Sequence, residues 1–340
     1  MTIPETSAEM FPEGVIDAHH HLYARPGINY LAEEYVSDLR STAIKFRGSI
    51  HVQARSHYRT SGAEACRPMG ETEFLLSEAK RAEALGFGGL CLGIVGFADL
   101  TLGAAVREVI EGHLQLAGHV REGGRFCGIR HILAWDADAR LLNPAYPTTA
   151  DLMHDTRFRE GLQVLADLDL AFDAWLLAPQ LPQLVGLAQA LPDLRIVLNH
   201  CGGPVGTGAY AGQLPEVFQH WSVAVAQLAE CKNVFVKVGG LGMPLTGLVP
   251  DTAARNLPAE LARLWRPWTD RLLDTYGPER LMLESNAPAD RTLYPFAAGW
   301  AAFWHILAPL SSQERRSLCA GTAECAYRLA GPTPQVSRRP

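Results

Sequence analysis

Eight short apolar runs, each followed by a longer stretch of helical period, recur down this chain, and that alternation restricts it to parallel strands joined by helical crossovers. The runs are Val15–His21, Gly48–Ala54, Gly88–Val95, Cys127–Ala134, Leu170–Leu176, Arg195–His200, Val234–Val238 and Arg280–Glu284. Several are apolar almost throughout, as strands covered on both faces require. Helical spacing marks Glu71–Leu85, Leu102–Ala117, Arg157–Asp167, Pro182–Ala190, Pro215–Glu230 and Ala259–Tyr276, with stop signals at Gly86 and at Gly277-Pro278. Two more helix patterns, Pro295–Leu307 and Ser312–Leu329, follow the last strand. Eight strand–helix units predict an α/β fold, a closed (β/α)8 TIM barrel with extra C-terminal helices. The expected division is an N-terminal extension over 1–14, one barrel domain over 15–330 and a frayed tail over 331–340, which begins at Gly331-Pro332-Thr333-Pro334.

Composition narrows the class of partner. With 48% hydrophobic and 19% charged residues, the 340-residue chain has the apolar mass that disordered chains lack. Formal net charge is −6 and the 30 Lys and Arg are scattered, which argues against nucleic acid and anionic membranes and for a small-molecule partner. Glu5, Glu9 and Glu13 give Met1–Gly14 the wrong chemistry for a signal peptide, and Pro179, Pro182 and three glutamines interrupt the uncharged Ala174–Pro192. A cytoplasmic protein is expected. The 7 cysteines include no CxxC pair, so no disulfide framework follows, and Cys201 is expected to be structural.

Strand ends carry the candidate chemistry. His19 and His21 lie two residues apart at the end of an apolar run, so they point the same way while His20 points opposite. Two neutral imidazoles so placed suit a divalent cation. His200 ends the run Ile196-Val197-Leu198-Asn199-His200 and reaches the same barrel rim. The glycines that follow, Gly202, Gly203, Gly206, Gly208 and Gly212, lack a phosphate-binding spacing. At the eighth strand Glu284 and Asn286 share a face by alternation. Further rim candidates are Gln53, Arg55, Arg130, His131, Asp173, Trp175 and Lys237. The long segments after strands, Tyr23–Asn29, Ser56–Gly70, Cys201–Gln213 and Gly239–Pro258, fall on that rim, where barrel active sites are built.

Asp17-Ala18-His19-His20-His21, Asn199-His200-Cys201-Gly202-Gly203-Pro204, Lys237-Val238-Gly239-Gly240-Leu241-Gly242 and Glu284-Ser285-Asn286-Ala287-Pro288-Ala289-Asp290 together resemble the amidohydrolase superfamily. With the terminal Gly321-Thr322-Ala323-Glu324-Cys325-Ala326-Tyr327-Arg328-Leu329, the resemblance narrows to the amidohydrolase 2 branch and spans about residues 15 to 329. That branch includes 2-pyrone-4,6-dicarboxylate lactonase and sugar-lactone hydrolases such as fuconolactonase. The resemblance implies a mononuclear site in which His19, His21 and His200 hold a divalent metal, zinc first and manganese second, although members that act without metal leave a metal-free site open. Asn286 stands where those lactonases usually carry an aspartate, and an amide cannot accept the attacking water's proton. Glu284 is then the expected substitute.

The expected activity is hydrolysis of a lactone, or a related cyclic ester or amide, in a small carboxylated substrate by metal-assisted attack of water. Glu284 or Asp173 would receive the proton, with His200 also catalytic. Arg55, Arg130 or Lys237 would hold an anionic group, and Gln53, His131, Trp135, Trp175 and Asn286 would complete the substrate pocket. A metal-dependent decarboxylase of aromatic acids, or a catalytically silent binding homologue, stands as the alternative. A homodimer is expected.

Overall fold

The computed structural model of the protein describes residues 10–42 and 44–329. The elements, in order, are β1 (Val15–His20), β2 (Tyr23–Arg25), β3 (Ile28–Tyr30), α1 (Ala32–Arg40), β4 (Phe46–Val52), α2 (Met69–Ala84), β5 (Gly93–Gly96), α3 (Val106–Ala117), β6 (Phe126–Ile132) and α4 (Thr156–Asp167). They continue with β7 (Ala171–Trp175), α5 (Leu181–Ala190), β8 (Ile196–Leu198), α6 (Leu214–Leu228), β9 (Val234–Val238), α7 (Leu257–Tyr276), β10 (Leu281–Leu283), α8 (Phe296–Leu307), α9 (Ser312–Arg316) and α10 (Thr322–Ala326). Eight strands form one parallel sheet in the order β1-β4-β5-β6-β7-β8-β9-β10. Its edges meet where Asn286 N–H donates to the His19 carbonyl (2.9 Å) and His21 N–H to the Ala287 carbonyl (2.8 Å), which closes the barrel. The expected TIM barrel is the fold observed.

Alternation along the strands sorts the core into two layers. Ile16, Ala18, Ile50, Val52, Val95, Val197 and Met282 fill the barrel interior, while the opposite strand faces pack under the helices. The C-terminal helices have a specific place in this scheme. Ala320, Ala323, Ala326 and Tyr327 join the interior cluster, Arg195 just before β8 donates to the Ala326 carbonyl (2.8 Å), and the Tyr327 hydroxyl reaches Asp173 on β7 (2.8 Å). They plug the end of the barrel opposite the rim.

Several expected boundaries shift. The β2–β3 hairpin and α1 occupy a stretch that the repeating pattern left as loop, Gly88–Leu92 is turn rather than strand, and Ser312–Leu329 is broken by a π turn at Ser317–Gly321. Caps agree with the local sequence: the Asp155 side chain accepts from Phe158 N–H (2.7 Å) at the start of α4, and Asn256 from Ala259 N–H (3.1 Å) at the start of α7. Phe11 is buried edge-on against Trp304 with ring centroids 5.4 Å apart, whereas 1–9 of the expected extension and the expected tail at 331–340 lie outside the described residues. Among the described residues no helix is long and apolar enough to cross a membrane.

Candidate active site

The C-terminal ends of the strands enclose a cavity of about 290 Å³ whose walls include His21, Arg130, Trp175, His200 and Asn286, with Tyr23, Arg25 and Tyr146. His19 lies directly beneath it, fully buried. The His21 ring donates from Nδ1 to the Val52 carbonyl (2.7 Å), leaving Nε2 as an acceptor 3.3 Å from His19 Nε2. The Lys237 ammonium donates to His19 Nδ1 (3.3 Å), which assigns the His19 proton to Nε2. Consistent with that assignment, Glu284 Oε2 stands 3.1 Å from His19 Nδ1 with no hydrogen bond aligned to it. Burial first, then the cations Lys237 and Arg130, hold His19, His21 and His200 well below the usual histidine range, so all three rings are neutral.

His200 owes its position to a bend. β8 stops at Leu198, and His200 and Cys201 take left-handed backbone angles, with φ of 54° and 52°, in a short turn. Alternation therefore does not set the direction of Cys201; its thiol is buried, and burial pushes its pKa up. His200 Nδ1 donates to Glu284 Oε1 (2.7 Å), its ring is packed by the Trp175 edge at 4.7 Å, and Nε2 is left as a lone pair. A Cβ on Gly240 (φ 64°) would lie 2.5 Å from the His200 Cβ, which fixes glycine there. Burial drives Glu284 up to about 8 against the pull of Lys237, so this carboxyl carries a proton through most of the neutral range.

The structure redistributes the other expected residues. Arg130 faces the cavity, with Nη1 3.4 Å from His19 Nε2 and Nη2 bonded to the Gln53 carbonyl. Lys237 and Asp173 are a fully buried ion pair at 2.6 Å inside the barrel; Asp173 also accepts from Tyr327 (2.8 Å) and Asn199 (2.9 Å). Neither lines the cavity, so the barrel interior takes them away from the proton-accepting and anion-holding roles expected of them. Glu284 likewise lies behind His200 rather than in the cavity wall.

Gln53, Arg55 and His131 line a second, larger cavity instead. β4 ends at Val52 and Arg55 turns at φ 54°, while alternation on β6 sends His131 to the side opposite Arg130, against Phe97 and Phe158. Trp135 lies beyond the end of β6 and borders neither cavity; its N–H donates to Gln180 Oε1 (2.9 Å).

Asn286 sits past the end of β10 at φ 50° and lines the first cavity, so its direction comes from that bend and not from alternation with Glu284. Its Nδ2 donates to Asp290 Oδ1 (2.7 Å), which turns its Oδ1 to the cavity. Asp290, which also accepts from Tyr294 OH (2.7 Å) and Gly242 N–H (3.1 Å), is pushed up to about 7 by burial. This carboxyl was not among the expected site residues, although the Asn-Ala-Pro-Ala-Asp run placed it one helical turn from Asn286. Tyr23, Arg25 and Tyr146 were also missed; the first two directly follow the histidine strand.

The donor set fits a divalent ion that displaces the His19 Nε2 proton. His19 and His21 bring two Nε2 atoms within 3.3 Å, close to the spacing of two nitrogens on one tetrahedral ion at about 2.1 Å, and ligand atoms of His19, His200 and Glu284 lie within 4.8 Å of one another. Arg130 and Lys237 beside His19 oppose added positive charge and lower the affinity.

A parallel barrel with polar groups convergent at its C-terminal rim defines an enzyme built for chemistry at that rim. The amidohydrolase family profile matches residues 16–329, and the protein belongs to that family and is a hydrolase. Its sequence is 27% identical over 329 residues to an L-fucono-1,5-lactonase of Burkholderia multivorans, covering 93% of this chain and 97% of that one. It is 27% identical over 300 residues to the uncharacterized protein y4mH of Sinorhizobium fredii, covering 88% and 86%. In fold it resembles a Burkholderia multivorans amidohydrolase crystallised with bound zinc, with a TM-score of 0.69 and 24% identity over 93% of this chain and all of that one.

Proposed function

We propose that the protein opens the ring of a small polyhydroxylated lactone at the histidine cavity. The observation that carries this reading is the His200–Glu284 pair facing Arg130 across a cavity sized for one ring. The lactonase activity named for its relative, matched over nearly the whole of both chains, supports it.

His200 Nε2 is the general base for the attacking water, since Nδ1 is committed to Glu284. Glu284 is a positioning residue: its Oε1 accepts from His200 Nδ1–H, which fixes the ring's tautomer and leaves Nε2 for the water's proton. Asn286 Oδ1 accepts a hydrogen bond from the same water. Arg130 meets the negative charge that develops on the lactone carbonyl oxygen, and Arg25 at the wall pairs with the carboxylate that ring opening creates. His19 and His21, with Nε2 atoms 3.3 Å apart, would hold a divalent ion of the zinc or manganese class, which when bound would polarise a carbonyl and lower the pKa of a water, while the expected third ligand, His200, keeps its Nε2 for the proton.

A pH-indicator assay with L-fucono-1,5-lactone and other aldonolactones tests the reading. Acid release above the spontaneous rate is expected. No lactone opened, together with carbon dioxide release from a hydroxybenzoate, would replace it with the decarboxylase alternative.

A further inference from the structure

Beside the histidine cavity lies a larger one of about 710 Å³, bounded by the segments that follow β4, β5 and β6. The residues that bound it carry buried polar atoms with no partner among the described residues: both amide atoms of Gln53, the Tyr58 hydroxyl, Arg67 Nε and Thr148 Oγ1. Gln53 is 1% exposed. Each such group costs about 1–3 kcal/mol when nothing satisfies it, so their gathering around one cavity marks a site that a ligand completes.

The chemistry of the walls selects the ligand. Arg55 and Arg67 are balanced by Glu64 and Asp99, and burial pushes His131 down to about 4, so the lining carries no net charge for a phosphate or carboxylate to answer. Amide, hydroxyl and guanidinium groups supply donors and acceptors in mixture, while Phe97, Tyr58 and Tyr146 present aromatic faces. Hydroxyls around a ring with apolar C–H faces match both. Ile132 and Tyr146 stand in the walls of both cavities, and among the described residues the Tyr146 hydroxyl is held by a 3.4 Å contact with the Ala54 carbonyl.

We propose that this second cavity is a subsite for a neutral sugar ring carried on the lactone, so that the substrate class is a glycosylated aldonolactone. The proposal rests on the lactonase reading, and its test separates the two. The values of kcat/KM are measured for glucono-1,5-lactone and cellobiono-1,5-lactone, which differ by one glucosyl ring, on the wild type and on Tyr58→Phe/Thr148→Val. The two-ring lactone is expected to be favoured at least about tenfold, with that preference lost in the double variant and the one-ring lactone opened within about twofold of the wild-type rate.

A smaller preference, or a double variant that slows both lactones alike, overturns the subsite while leaving the lactonase reading intact. If neither lactone is opened, the lactonase reading fails for these sugars and calorimetry with cellobiose decides the cavity. Saturable heat that disappears in the double variant upholds a sugar site. No heat overturns it and leaves a cavity that holds water.

Discussion

Just past β4 and along β6 neighbouring residues look into different cavities: Ala54 and Arg130 into the histidine cavity, Gln53, Arg55 and His131 into the larger one. Beneath the first, the buried charged groups are tied to partners. Asp173 holds Lys237, Tyr327 and Asn199, Glu284 holds His200, and Asp290 holds Asn286, Tyr294 and Gly242. Around the second, both amide atoms of Gln53 and the hydroxyls of Tyr58 and Thr148 have no partner among the described residues, whereas the leftover atoms at the first, Glu284 Oε2, Arg130 Nε and Asn199 Oδ1, belong to groups already bonded through another atom. The difference teaches that the first cavity is organised before a ligand arrives, as stabilisation of developing charge requires, whereas the second gains its partners from what enters it.

The largest expected effect breaks the first network. Lys237→Met leaves Asp173 charged and buried, so urea unfolding should show a loss of about 4 kcal/mol, largely restored when Asp173→Asn is added. A loss under about 1 kcal/mol would mean that the pair does not support the floor of the site.

Next is the strip between the cavities. Glu71 Oε1 accepts from Ala54 N–H (2.9 Å) and Ser56 N–H (3.1 Å), and burial pushes its carboxyl up to about 7 from an ordinary 4.5. Between those two values the folded protein binds more protons than the unfolded chain, so this group's contribution is complete below about 4.5 and is lost as pH rises through 7. Relative to Glu71→Gln, which accepts the same bonds at every pH, the wild type should lose about 2.5 kcal/mol between pH 5 and pH 8 in parallel urea titrations. Parallel pH curves would contradict the shift.

Glu284→Gln can still accept from His200 Nδ1 but cannot ionise as that ring becomes cationic. A fall of about a hundredfold in kcat at nearly constant KM is expected in the indicator assay, and full activity would remove Glu284 from the mechanism. The smallest effect belongs to the second cavity. Thr148→Val deletes a hydroxyl without a partner among the described residues, so thermal unfolding should show no loss of stability or a gain of up to about 1 kcal/mol. A clear loss would show that the hydroxyl is satisfied and would narrow the contrast between the two cavities.

Much of this architecture was legible because it rests on periodicity. The eight strands, the pairing of His19 with His21 and the arrival of His200 at the same rim follow from apolar runs and alternation. Legibility failed where the chain leaves the strand. His200, Asn286 and Arg55 all sit at positive φ just past a strand end, where side-chain direction depends on a bend and not on a count of residues. Arg130 and His131 illustrate another limit: alternation says that they diverge, but which one faces the axis is set by barrel closure. Lys237 and Asp173 looked catalytic because polar residues in apolar strands are rare, yet their pairing inside the barrel needed the neighbouring strands and Tyr327 from the C-terminal plug to be seen. The π turn at Ser317–Gly321 interrupts a pattern that reads as one helix.

Acid release from L-fucono-1,5-lactone by the wild type beside His200→Ala tests whether lactone opening takes place at His200. Ring opening well above the spontaneous rate is expected for the wild type and a drop of about a thousandfold in the variant, with unfolding curves showing both folded. A variant as fast as the wild type, or a wild type no faster than water, would contradict it.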